Sequence, residues 1–394
     1  MIIGNNNCCK FIVALFLLLY LSCISGIPYI KSISPLYNLA LLIVPFTIYV
    51  TGRSKINIAC LLFLVACCIS IVINTPPPEY RSWERFLLLF SLFLFSSPLI
   101  NNIYLKKFRI CLFKYILWIF VFLSISSFFC YFLGINFSST ALKQNDAMLD
   151  HAGYFGGLTR HSMILGPVAG IACCVLATKY IYEKKAIFAA GAFFSFASVL
   201  LSASRVALLA LFIAMVFILI RADKSQFKKF ELVSIGFVLL AIMILTTALF
   251  SSLMLDKYIA NEGRGVLSSR QFLWNARLTE FIDSPIYGCG FASEKVVRSV
   301  GILKNGVIEP GTSWGAISAQ VGLCGLIPVI YMWGKAILIH INQRAEENII
   351  NTALIIYISI HMSAEGYIMA AGNPMCLFSW LMISVALYRY KVDI

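Results

Sequence analysis

Charge is what this 394-residue chain most lacks: only 12% of it is Asp, Glu, Lys or Arg. Soluble domains carry about a quarter of their residues as charges, so an ordinary cytosolic enzyme is excluded. A disordered chain is excluded as well, because such chains are rich in charge and poor in apolar groups. Histidine is scarce, at four residues. No two cysteines stand in a Cys-x-x-Cys pair, so the sequence implies no zinc site, and no other metal or cofactor is expected. Most of the 13 cysteines lie inside apolar runs, as in Cys67-Cys68 and Cys173-Cys174, where cysteine acts as a small buried hydrophobe. Cys289 alone falls in a long hydrophilic segment and has no partner there, so a secreted disulfide scaffold is excluded too.

What the chain has instead is apolar length. Hydrophobic residues make up 60% of it, and the mean hydropathy is +0.89. A spanning helix needs about 20 apolar residues. That ruler predicts an all-α, polytopic membrane protein with about twelve spans, near 11–27, 36–52, 56–73, 85–101, 110–134, 162–180, 186–203, 206–221, 232–252, 314–336, 348–371 and 374–390. The first run has neither a small-x-small cleavage site nor a good lipid-attachment box, so it reads as a span and not as a signal peptide.

The net charge of +14 reflects orientation and not nucleic acid. Basic residues gather in the short loops on the cytoplasmic side. Arg53 and Lys55, Lys106, Lys107 and Arg109, Lys179, Lys184 and Lys185, Arg221 to Lys229, Lys335 and Arg344, then Arg389 and Lys391 all follow even-numbered spans. Both termini are therefore expected in the cytoplasm. The loops left outside are the Pro76-Pro77-Pro78 turn with Arg81 and Arg85, residues 135–161, the tight Ser202–Arg205 link, and residues 253–313. The last is long enough to be functional. Its Ser268-Ser269 cap, its apolar residues from Phe272 to Ile282 and its Ser284-Pro285 stop predict a short amphipathic helix on the outer membrane face. The chain shows no internal repeat, so one membrane domain, 1–394, with one external cap is expected.

Arginines outside are exceptions to the charge rule and need a reason. Arg205 stands at a helix end between two apolar spans, where it either snorkels to water or forms a fixed fork for phosphate. Arg264 and Arg270 flank the start of the external helix, and together with Arg205 would suit a diphosphate over the outer leaflet. Arg277, two turns beyond Arg270, reads as part of a solvated polar face. Among possible proton acceptors, His161 opens the sixth span. His361 and Glu365, four apart, are expected on one face of the eleventh. Glu309, the last acid before the tenth span, is either a rim base or an exposed loop acid. Trp314 suits an interfacial anchor or a sugar-stacking platform.

Four segments in this order carry a resemblance: Gly157–Pro167, Leu200–Arg205, Ser269-Arg270-Gln271-Phe272-Leu273-Trp274 leading to Ser284–Gly290, and Gly322-Leu323-Cys324-Gly325-Leu326. The chain, over roughly 155–380, resembles the O-antigen ligase and O-antigen polymerase superfamily of bacterial inner-membrane glycosyltransferases. The resemblance implies a periplasmic active site, an undecaprenyl-pyrophosphate-linked glycan donor, a glycan acceptor and a chain-length regulator protein as partner. It places Arg205 and Arg270 on the family's pyrophosphate-binding arginines. One departure is visible. Where ligases of the family carry a His before the Gly-x-x-Gly-Leu span, this chain reads Gly311-Thr312-Ser313-Trp314. The reading that follows is a polymerase of lipid-linked repeat units, with Glu309, Glu365 and His161 as candidate bases. A ligase acting on a lipid A core or a protein, and a transporter or flippase of lipid-linked glycan, are the alternatives.

Overall fold

The computed structural model of the chain describes residues 6–47, 54–138, 155–222, 269–296 and 306–388. They form α1 (Asn6–Ile24), α2 (Pro28–Ser32), α3 (Pro35–Thr47), α4 (Ile58–Asn74), α5 (Ser82–Ser96), α6 (Ile103–Phe132), α7 (Ser162–Glu183), α8 (Ala186–Leu201), α9 (Arg205–Arg221), α10 (Ser269–Asp283), α11 (Ser313–His340), α12 (Glu346–His361) and α13 (Pro374–Leu387). Two short strands, β1 (Lys55–Ile56) and β2 (Ile100–Asn101), pair antiparallel. The protein is thus mostly helical, and helices occupy every predicted span except 232–252, which lies outside the described residues. Among the described residues, α6, α7 and α11 are long and apolar enough to cross a membrane, and several shorter apolar helices accompany them.

Packing follows the rules for helices in lipid, where close approach of small residues replaces hydrophobic driving force. On α9 the buried face is Ala207, Ala210, Leu211, Ala214 and Ile218, at helical spacing. It meets α7, where Gly166 lies against Ser204 and Ala207. Across α7, the Tyr357 ring of α12 fills the space beside Gly170, and its hydroxyl donates to the Gly166 carbonyl. Deeper in the bundle, Trp380 of α13 packs on Phe93 and Phe63 with ring centroids 4.4 and 5.5 Å apart. The outward faces keep Leu62, Val72, Trp118, Phe122, Leu209 and Ile220 exposed. A belt of large apolar side chains of that extent suits lipid and not water.

The connections gather at two ends. At one, called the basic end below, β1 and β2 pair, Arg221 donates to Asn342, and Lys179 bonds Glu346. Buried Arg109 closes the same end, donating to the Phe95 and Ile100 carbonyls. At the other, the cap end, Gly26 N donates to Leu158 O, Tyr80 Oη to Glu294 O, and Ser313 N to Met362 O. The loops that the charge count assigns to one side are the ones that meet at the cap end.

Candidate functional site

The cap end is built around a break in α11. Thr312 caps that helix by accepting from Gly315 N, and the helical path then fails at Gly322, with φ 62° and ψ −161°. Only glycine occupies that region without strain, and a Cβ there would stand 2.3 Å from the Ile286 carbonyl oxygen. The segment after α10 fills the break. Leu323 N donates to Pro285 O, Cys324 N to Ile286 O, Cys289 N to Ala319 O and Gly290 N to Gln320 O. From α4, Ser70 Oγ donates to Gln320 O and Asn74 Nδ2 to Gly288 O. Irregular backbone inside an apolar bundle persists only where protein satisfies its polar groups, and here it does. Two of the sequence segments quoted above, Ser284–Gly290 and Gly322–Leu326, are therefore one structural unit.

α10 runs beside the first part of α11: Leu273 lies against Gly311 and Arg277 against Gly315. The helix exists as the sequence predicts, but its buried face mixes Leu273 and Ala276 with Arg277 and Glu280. Leu278 and Ile282 are exposed, at 57% and 66%, while Arg277 is 1% exposed. The expectation of a solvated Arg277 is thus overturned. Its Nη1 donates to Glu280 Oε2 at 2.7 Å, and its Nη2 lies 2.9 Å from Glu294 Oε1. Glu280 Oε1 also accepts from the backbone of Lys295 and Val296. Two buried carboxylates therefore share one guanidinium. Burial pushes the Glu294 carboxyl up to about 7; Arg277 opposes that rise, and Glu280 and Glu309 add to it. Burial likewise pushes the neighbouring Cys289 thiol up to about 12, so this cysteine is an inert core residue and not a nucleophile.

Next to this ionic core lies a cavity of about 460 Å³. Its walls are Val307, Ile308 and Pro310 on one side, Gly366–Asn373 on another, and Asn38, Arg85 and Gln320. Arg85 is half-buried, and its Nη2 donates to Gly306 O at 2.8 Å. Gln320 spans cavity and ionic core, since its Oε1 accepts from Ala292 N. Glu309 and Glu365, both half-buried, each adjoin a wall residue, and the Pro310 ring packs on Gly366. Ser313 Oγ donates to Glu365 O and accepts from Tyr367 N, fixing this turn to the start of α11.

The remaining predicted residues distribute as follows. α12 ends at His361, so Glu365 lies beyond it and the two do not share a helix face as expected. His361 instead stacks on Tyr357 and its Nδ1 meets Tyr367 Oη at 3.3 Å, one residue behind the cavity wall. His161 caps α7: its Nδ1 accepts from Met163 N at 3.0 Å. Arg205 is exposed in the first turn of α9. Arg270 is the second residue of α10; Arg264 lies outside the described residues. Trp314 donates from Nε1 to Ser359 O and meets Trp333 edge-on, which makes it a strut between helices.

Sequence reasoning did not single out Arg85 and Glu294. Arg85 carried the same signal as Arg205, a basic residue in a loop on the sparsely basic side. Glu294 is the one acid between Asp283 and Glu309, a signal that only its burial makes legible. Among the described residues no three His, Cys, Asp or Glu side chains gather as a metal ligand set. Fold and site together define a mostly helical protein whose apolar helices suit a membrane, with a largely apolar cavity at one end to which Arg85, Gln320 and two asparagines bring polar groups. No protein-family model matches the chain, and no curated protein does.

Proposed function

We propose that this chain is a multi-pass glycosyltransferase of the bacterial inner membrane that polymerises undecaprenyl-pyrophosphate-linked repeat units of a surface polysaccharide on the periplasmic side. The observation that carries the reading is the cavity at the cap end, beside half-buried Glu309 and Glu365 and walled by Arg85, above a bundle with lipid-suited flanks. An enzyme whose donor is anchored in the bilayer needs its pocket at the mouth of such a bundle.

In the proposed reaction an acceptor hydroxyl attacks the anomeric carbon of the donor glycan. The new glycosidic bond forms as the bond to pyrophosphate breaks, and undecaprenyl pyrophosphate leaves with the electron pair. Arg205 and Arg270 hold the leaving group; stabilising charge that develops there is often the largest catalytic term. A carboxylate takes the acceptor proton. Glu309 is the better candidate, since wall residues flank it on both sides, Ile308 and Pro310, whereas Glu365 has only Gly366. His161 is disfavoured: a neutral imidazole whose Nδ1 accepts a backbone hydrogen bond carries its proton on Nε2, and has no lone pair to offer until the cap breaks.

The test is purified protein in nanodiscs with a lipid-linked repeat unit. Laddered products support a polymerase. A single transfer to lipid A core points to a ligase, and translocation without transfer to a flippase. Glu309→Gln should abolish the ladder while His161→Gln retains it; the opposite pattern overturns the assignment of the base.

A further inference from the structure

A second cavity, of about 260 Å³, opens at the basic end between α6, α7, α12 and α13. Its inner wall is apolar, formed by Phe113, Leu117, Val121, Val175 and Ile350. Its rim holds four charges: Lys114, Lys179, Glu346 and Glu347. Depth fits a lipid headgroup. α6 has 30 residues, about 45 Å at 1.5 Å each, against a hydrocarbon core of about 30 Å. With the excess at the basic end, where Lys106, Lys107 and Arg109 lie, Lys114 reaches the headgroup boundary about 16 Å along the helix. Trp118, half exposed one turn further in, is placed as interfacial aromatics are.

The charges decide which headgroup. The two lysines and two glutamates of the rim cancel, so a purely anionic lipid meets no net attraction there, and Glu183 beside Lys179 is itself offset by Lys185 at 2.7 Å. Lys179 is already engaged by Glu346 at 3.1 Å and Glu183 at 3.2 Å. Lys114 and Glu347 are different. They stand 3.8 Å apart, beyond hydrogen-bonding distance, with side chains 61% and 60% exposed. Such a pair stabilises the fold little and opens at little cost. A zwitterion laid across it sets phosphate on Lys114 and ammonium on Glu347, and both contacts become charge-assisted hydrogen bonds. A quaternary ammonium has no N–H for the carboxylate.

We propose that this cleft binds a phospholipid bearing a primary ammonium, phosphatidylethanolamine in chemical class, with one acyl chain along Phe113–Val121 and its headgroup bridging Lys114 and Glu347. The site is separate from the cap-end cavity and does not rest on the catalytic reading.

The experiment reconstitutes the full chain with equal amounts of phosphatidylethanolamine, phosphatidylcholine and phosphatidylglycerol, and counts retained lipids by native mass spectrometry. Phosphatidylethanolamine should be retained about tenfold over either competitor, the worth of one charge-assisted hydrogen bond. Glu347→Gln should erase that preference and Lys114→Gln should lower retention of all three lipids alike, neither moving the melting temperature because both positions are exposed. Equal retention of the three lipids, preference for phosphatidylglycerol, or a preference that survives Glu347→Gln overturns the proposal.

Discussion

Glu294→Gln is the most direct probe of the ionic core. In the folded chain Glu280 and Glu294 flank one guanidinium at 2.7 and 2.9 Å, with all three side chains essentially sealed from solvent. One negative charge is left over, and a proton on Glu294 cancels it. Burial, opposed by Arg277 and reinforced by Glu280 and Glu309, moves the carboxyl from its usual 4.5 up to about 7. That difference corresponds to about 3 kcal/mol. The sign follows from proton binding: the folded chain holds the proton more tightly than the unfolded one between these two values. The stabilisation is complete below about 4.5 and is lost as pH rises through about 7. Gln mimics the protonated side chain at every pH. Thermal unfolding of detergent-solubilised wild type and variant from pH 4 to 8 should therefore give matching stabilities at the acid end. Above neutrality the variant should be the more stable by up to about 3 kcal/mol. Differencing the two curves removes the contribution of every other titrating group. Parallel pH profiles, or a variant less stable at pH 8, would show that Glu294 is ionised and well compensated by Arg277, and the reasoning would fail.

Arg277→Ala leaves two buried carboxylates with no cation between them and should cost about 3–5 kcal/mol, read as a fall in melting temperature that Glu294→Gln partly rescues. Gly322→Ala forces a side chain into a left-handed conformation and onto the Ile286 carbonyl; a loss of about 3 kcal/mol or failure to fold is expected. Gly334→Ala in the same helix, where a Cβ meets nothing within 4 Å, should instead gain about 0.5–1 kcal/mol. Arg205→Ala sits at an exposed helix start, so it should leave the melting temperature unchanged while lowering turnover of the lipid-linked donor by about 100-fold or more. Unchanged turnover in both Arg205→Ala and Arg270→Ala would remove the phosphate-clamp idea.

Which parts of this arrangement could be read in advance depends on what solvent each rule assumes. The helices were legible because a long apolar run has few other meanings, and α6, α7 and α11 are long and apolar enough to cross a membrane. α10 was legible as a helix from its cap and its stop. Its buried face was not: spacing alone puts Arg277 on a solvated polar edge, and Glu294, the carboxylate that meets it inside, comes from the segment after the helix. The His361–Glu365 pairing failed for a different reason. A spacing of four puts two side chains on one face only while the helix lasts, and α12 stops at His361, where the Met362 carbonyl turns to accept from Ser313 N. The break at Gly322 could not be read from an apolar run, because the carbonyl that excludes a side chain there comes from Ile286, in a separate segment of chain.

The break also explains why a cavity and a buried ion cluster occur side by side. An unbroken α11 would use its own carbonyls internally and leave nothing for neighbouring segments to grip. Interrupted at Gly322, it frees Ala319 O and Gln320 O, which draw in Cys289 and Gly290. That contact pulls the following residues, Ala292 to Glu294, against the helix, where Ala292 N reaches the Gln320 side chain and Glu294 reaches Arg277. Gln320 is then committed to the backbone on one side and to the cavity wall on the other. Arg85, on the same wall, feels the charge of Glu294. Proton binding at Glu294 therefore changes the field across the cavity without any group there moving, so the pH dependence of turnover should carry a component near neutrality that Glu294→Gln removes, whichever carboxylate serves as the base.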